Sequence, residues 1–281
     1  MDKTHALAPP LQEKWERLQA LLSAMDRVAV AFSGGVDSTL LLKAAADALG
    51  EGTIALIADS PSLPRRDLAE ALELATRLNV PVRVIPTREV EDPEYVANTP
   101  HRCFVCKSHV YATLWQVAQE MGYSYLVDGT NADDVGDFRP GRDAARSLGV
   151  RSPLLEVGLT KEEIRTLARH WGLPNWDKPS AACLSTRIPY GTPITQEALR
   201  QVEVAEEALR EMGFTPLRVR HHGVLARVEI SPDQFPRALE HRDAILQALR
   251  GAGFVYVTLD LAGFRSGSGN EILARATEAV G

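Results

Sequence analysis

Short apolar runs alternate with helix-period patterns through the first half of this chain. Leu11, Trp15, Leu18, Leu21 and Leu22 recur at helical spacing and predict an amphipathic helix over residues 11–25. The apolar run that follows predicts a buried strand over 27–32, and a helix then runs through about Leu49. A second buried strand is expected at 53–58, ended by Asp59-Ser60-Pro61, with a second helix at 65–78 and a third strand at 82–85. Residues 105–121 read as a helix and Tyr125-Leu126-Val127 as another strand. This alternation argues for an α/β fold, a parallel sheet with helices on both faces. Ligands of such sheets sit at the carboxyl ends of the strands. Ser33, Asp59, Asp128 and Gly129 all fall at those ends and are expected to ring one crevice.

The pattern changes after residue 175. Residues 175–195 are rich in Pro, Ser, Thr and Gly and read as loop. Beyond them come a helix (196–212), strands near 217–220 and 226–230, a helix (236–249) and a strand (254–259). That order suggests a smaller C-terminal α+β domain. The expected division is 1–188 and 189–281.

Composition narrows the class. The chain has 281 residues, 45% apolar and 24% charged, as globular proteins do. No apolar run approaches the roughly 20 residues that a membrane span needs. The first seventeen residues are polar and mixed in charge, unlike a signal peptide, so a cytoplasmic protein is expected. A net charge of −6 argues against a large nucleic-acid surface. Three cysteines in such a chain suggest metal, cluster or catalytic thiols rather than disulfides.

The strongest chemical signal is Ser33-Gly34-Gly35-Val36-Asp37-Ser38-Thr39, between the first strand and its helix. Glycines let the backbone turn tightly and approach an anion, and the N–H groups of the next helix then face it. A Walker A loop would place Gly-Lys-Ser/Thr after a four-residue spacer, and none is present. Asp37 could hold Mg²⁺ on nucleotide phosphates. Ser and Asp are also ordinary helix caps, but here strand, two glycines and helix coincide. Asp128-Gly129-Thr130-Asn131-Ala132-Asp133-Asp134 is a second acidic group, readable as Mg²⁺ partners or as a capped polar turn.

Cys103 and Cys106 stand three apart near an expected helix start, beside Arg102 and Lys107, a setting that favours thiolate. Cys183 lies in the loop Lys178-Pro179-Ser180-Ala181-Ala182-Cys183-Leu184-Ser185-Thr186-Arg187-Ile188-Pro189-Tyr190-Gly191. Three thiolates suit a [4Fe-4S] cluster with one open iron. Zinc would need a fourth ligand, such as His101 or His109. Three unrelated cysteines, each a small buried hydrophobe, are the lesser alternative. The C-terminal half adds Arg218, Arg220, His221, His222, Arg227, Glu229, Asp260 and the run from Gly263 to Asn270. Alternating arginines can bind phosphate or carboxylate, or simply line a solvated strand face.

The glycine loop resembles the PP-loop of enzymes that split ATP into AMP and pyrophosphate. Together with Asp128–Asp134, Phe138-Arg139-Pro140-Gly141, the Cys183 loop and Gly263-Phe264-Arg265-Ser266-Gly267, it resembles LarE-type ATP-dependent sulfur transferases of nickel-pincer nucleotide biosynthesis, from about residue 10 to the end. The resemblance implies an adenine nucleotide α-hydrolase-like fold with ATP and Mg²⁺ at residues 33–39, and Asp59, Gly129, Thr130 and Asp133 around the nucleotide. It implies pyridinium-3,5-biscarboxylic acid mononucleotide as substrate, adenylated and then converted to a thiocarboxylate. Arg187, Glu229 and Asp260 are implied beside Cys183 around that substrate, in a cytoplasmic homo-oligomer, hexameric by family. Members with the Cys183-type cysteine alone sacrifice its sulfur. Three-cysteine members are associated with a [4Fe-4S] cluster on the equivalents of Cys103, Cys106 and Cys183, fed by a sulfide source. The alternatives are sacrifice of the Cys183 sulfur, a PP-loop tRNA thiolase, an amide-forming synthetase and a non-catalytic nucleotide or iron–sulfur sensor.

Overall fold

The computed structural model describes residues 7–136, 140–179 and 182–271. Phe138, Arg139, Ser180 and Ala181, named above, lie outside the described residues. The chain divides into two compact units, Met1–Glu89 with His101–Ala181, and Val90–Pro100 with Ala182–Gly281. Residues 182–188, expected in the first domain, thus group with the second, as does the excursion 90–100.

The first unit is built on a four-stranded parallel sheet in the order β3-β2-β1-β4, with β1 Val28–Ala31, β2 Thr53–Asp59, β3 Val82–Pro86 and β4 Tyr125–Val127. Strands covered on both faces read as unbroken apolar runs, and β1 and β2 do so. Val28, Val30 and Leu42 pack in a core on one face, Ala29, Leu56 and Leu126 in a core on the other. Helices Pro9–Ser23, Val36–Leu49, Arg65–Arg77 and Arg102–Glu120 fall close to the expected places. The helix Lys161–His170 was not foreseen. Thr160 and Glu163 form a reciprocal capping box at its start, a signature present in the sequence as Thr-Lys-Glu-Glu.

The second unit has a three-stranded sheet, order β5-β6-β7, with β5 Leu217–His222, β6 Leu225–Ile230 and β7 Tyr256–Leu259. β5 and β6 are antiparallel, β6 and β7 parallel. Val219, Val228 and Ile230 face a core shared with Leu209 and Leu249, from helices Gln196–Glu211 and Arg242–Gly251. The helix expected over 236–249 is two helices, Phe235–Glu240 and Arg242–Gly251, meeting at His241. Residues 239–244 are all exposed, so no apolar side chain there pins a continuous helix to the sheet.

Candidate active site

The loop after β1 is tightly specified. Gly34 has φ 71°, and a Cβ there would sit 2.9 Å from the Cβ of Ala71 on the Arg65–Arg77 helix. Only glycine satisfies both the conformation and the approach. Gly35 caps the Val36–Leu49 helix without a side chain, so the first-turn amides are left to a ligand. Ser38 and Thr39 turn back on the loop: Ser38 Oγ donates to the Gly35 carbonyl at 3.1 Å and Thr39 Oγ1 to the same carbonyl at 2.9 Å. Ser33 Oγ and Ser38 Oγ are 3.2 Å apart. Asn175 closes the loop from outside, donating to the Gly34 carbonyl at 3.0 Å and to Thr39 Oγ1 at 2.9 Å. Its role was not legible in the sequence, where it marks only the start of a polar stretch.

The end of β4 lies against this loop. A Cβ on Gly129 would meet the backbone nitrogen of Ser38 at 2.8 Å. The expected convergence of Ser33 and Gly129 is therefore present. Asp128 is engaged by protein donors. It is buried and accepts from Tyr111 Oη at 2.9 Å, Ser152 Oγ at 2.7 Å and the Thr130 amide at 3.1 Å. Burial and that carboxylate push the Tyr111 hydroxyl well above its ordinary pKa, so it stays a donor. Asp134 accepts the Asn131 amide and Asp133 accepts the amide of Lys161, the first residue of the Lys161–His170 helix. Asp59 pairs with Arg65 at 2.6 Å. Among the described residues, no three His, Cys, Asp or Glu side chains gather as a metal-holding group.

Asp37 is the exception among these carboxylates. Lys161 Nζ donates to its Oδ2 at 2.5 Å, while Oδ1 is buried without a partner. Burial raises the Asp37 pKa, against the opposing hydrogen bond from Lys161. An orphaned carboxylate oxygen beside a phosphate cradle fits a hard cation carried on a nucleotide.

All three cysteines are thiols rather than disulfides. In the first unit, Cys103 and Cys106 lie on the first turns of Arg102–Glu120, Cys103 exposed and Cys106 partly so. Their spacing puts both sulfurs on one side of a helix N-terminus, where anionic sulfur is favoured.

In the second unit, Cys183 stands at the start of the single 3₁₀ turn Leu184–Arg187. Its carbonyl accepts from the Thr186 amide (3.1 Å), Thr186 Oγ1 (2.8 Å) and Arg187 Nη1 (2.9 Å). Arg187 is buried and also binds the Ala182 carbonyl at 2.6 Å and Glu206 through two 2.9 Å bonds. It fixes the Cys183 backbone, with its donors spent on protein groups. Tyr95 and Asn98 hold the same loop from the 90–100 excursion. Tyr95 Oη lies 2.5 Å from Ser185 Oγ, and Asn98 Nδ2 donates to the Pro189 and Thr192 carbonyls at 2.8 Å.

Glu229 joins the remaining motifs. Fully buried on β6, it accepts two 3.0 Å bonds from Arg220 and one of 3.0 Å from Arg227, and Ser268 Oγ lies within 3.2 Å. Arg220 Nη1 donates on to the Thr186 carbonyl at 2.8 Å. The Cys183 loop, the strand arginines and the Gly/Ser run are thus one hydrogen-bonded assembly. Asp260 lies 3.5 Å from Arg227 Nε and accepts the Ala262 amide. Arg218, on the same sheet face, has its pKa pushed down to about 10 by burial, with the Arg187 charge adding to it. That excess of cationic charge suits an anionic ligand.

No protein-family model matches the chain. A protein of Synechocystis described as uncharacterised is 42% identical over 267 residues, 94% of this chain and 100% of that protein. A pyridinium-3,5-bisthiocarboxylic acid mononucleotide synthase of Lactiplantibacillus plantarum is 39% identical over 267 residues, covering 95% of this chain and 97% of the synthase. A tRNA-specific 2-thiouridylase of Thermus thermophilus is 29% identical over 196 residues, 56% of this chain and 53% of that enzyme.

Proposed function

The chain belongs to the LarE-type family of ATP-dependent sulfurtransferases, and on that premise we propose that it converts carboxylates of pyridinium-3,5-biscarboxylic acid mononucleotide to thiocarboxylates. The observation that carries the ATP step is the loop at the end of β1, a glycine cradle whose helix amides lack a side-chain cap. Those amides would hold the nucleotide phosphates, with Val36, Asp37 and Ser38 in the first helical turn. Asp37 Oδ1 would ligate Mg²⁺, which neutralises phosphate charge. A carboxylate does not exchange oxygen for sulfur unaided. Attack of its oxygen on the α-phosphorus gives an acyl adenylate and pyrophosphate, and sulfur then displaces AMP. Arg218 is suited to the substrate phosphate, and Arg187 keeps the Cys183 backbone in place for the transfer.

Cys103, Cys106 and Cys183 are proposed to hold a [4Fe-4S] cluster, and the support for this is the donor chemistry: three thiols, none in a disulfide, two of them three residues apart at a helix start. Such a cluster supplies an open iron that can carry an extra sulfide from an external source. Sacrifice of the Cys183 sulfur is the competing route, and the mass of the protein after turnover separates the two. The thiouridylase likeness spans only 56% of this chain, which favours the small-molecule reading over a tRNA substrate. A cytoplasmic homo-oligomer completes the proposal. Val255, Tyr256 and Leu261, exposed at and beside β7, support association.

Anaerobic protein given ATP, the pyridinium dicarboxylate mononucleotide and sulfide should release pyrophosphate and form a thiocarboxylate detectable by mass spectrometry. Absence of the thiocarboxylate would overturn the assignment.

A further inference from the structure

Two cationic side chains approach the phosphate loop from the Lys161–His170 helix. Lys161 Nζ donates to Asp37 Oδ2 at 2.5 Å. Arg165 follows at i+4, on the same helix face, and its charge also acts on Asp37. Its Nε is buried with no hydrogen-bond partner. A buried guanidinium donor left unpaired is costly, and it invites an anion. The loop itself supplies amides and hydroxyls at residues 33–39 but no cationic side chain. Splitting ATP between its α and β phosphates puts new charge on the leaving pyrophosphate, and helix-terminal amides supply only partial charges to meet it.

We propose that Lys161 and Arg165 are catalytic residues on the pyrophosphate side of the ATP site. Lys161 exchanges Asp37 for oxygens of the β-phosphate, and Arg165 donates its unpaired N–H to the same leaving group. In the step itself, a substrate carboxylate oxygen bonds to the α-phosphorus and the bond from that phosphorus to the α,β-bridging oxygen breaks. The electron pair stays on the bridging oxygen, which departs with pyrophosphate. Lys161 and Arg165 stabilise that charge without transferring a proton. Pyrophosphate release returns Lys161 to Asp37. The proposal rests on the ATP-splitting part of the reading above and not on the sulfur step.

The test titrates inorganic pyrophosphate with magnesium, and separately AMP, into the full-length protein and its Lys161→Gln and Arg165→Gln variants. Each variant should lose about tenfold or more in pyrophosphate affinity, the scale of a lost charge-assisted hydrogen bond, while AMP affinity stays within about twofold. The kcat for pyrophosphate release should fall about a hundredfold with a smaller change in the KM for ATP, and Lys161→Arg should recover part of it. A merely structural role would weaken AMP and pyrophosphate together. That result, or unchanged pyrophosphate affinity in both variants, overturns the proposal. If the titrations split as expected but no thiocarboxylate forms, the substrate assignment fails and this proposal stands.

Discussion

Arg187 and Glu206 form a two-pronged ion pair, Nε to Oε1 and Nη2 to Oε2, each at 2.9 Å and with side chains only 2% and 1% exposed. Removing one member of a buried pair strands the other charge. Arg187→Met is therefore expected to destabilise the protein by ~3–5 kcal/mol, read from urea unfolding. Because Arg187 also binds the Cys183 carbonyl, the variant should lose sulfur transfer more completely than pyrophosphate release. Equal loss of both activities would refute the link to Cys183.

Acid sensitivity follows from the same pair. Burial raises the Glu206 pKa, but the bond and charge of Arg187 outweigh it, and the folded pKa lies below the ordinary 4.5. Between those two values the unfolded chain binds more protons, so stability rises with pH there. Glu206 thus contributes stability that is present above about pH 4.5 and lost as pH falls through the lower folded value. In Arg187→Met the depressing partner is gone, and the acid unfolding midpoint should move to higher pH by circular dichroism. An unmoved midpoint would contradict this.

The phosphate loop tolerates no side chain at Gly34. Ala there meets both a left-handed φ of 71° and the Ala71 methyl. Gly34→Ala should weaken ATP binding by about tenfold or more while leaving the second unit's acid transition intact, the loop shift costing on the order of 1–3 kcal/mol. Calorimetry showing unchanged ATP affinity would count against the cradle.

Cysteine chemistry is separable by iron analysis. Anaerobically reconstituted protein should carry iron and sulfide, and Cys103→Ala, Cys106→Ala or Cys183→Ala should each lower that content sharply. Full cluster content in all three variants would reject the three-thiol site. Without a cluster, a mass loss equal to hydrogen sulfide after turnover identifies sacrifice of Cys183.

Much of this was legible in the chain. Strands β1 and β2 announced themselves as apolar runs, and the glycines at 34 and 35 marked the turn between β1 and its helix. Side-chain roles were less accessible. Arg187, Glu229 and Asp260 were expected around a substrate. The sequence did not show their partners: Arg187 donates to Glu206 and loop carbonyls, and Glu229 is enclosed by arginines. Glu206 gave a faint signal, since it falls seven residues after Leu199 on the apolar face of its helix. A carboxylate there needs a buried partner, but the sequence does not say which. Lys161 was overlooked because, as the first residue of a capped amphipathic helix, it reads as an ordinary solvated lysine. Its partner lies 124 positions away in the chain.

Glu206 Oε1 also accepts the backbone N–H of Val219 at 3.1 Å, on the outer side of β5. A carboxylate seated there occupies a main-chain donor that another strand would otherwise seek. That margin of the small sheet is thus blunted at Val219. The opposite margin is β7, where the exposed Val255 and Tyr256 stand. The ion pair that steadies the cysteine loop also makes one edge of the sheet a poorer template for pairing than a bare strand.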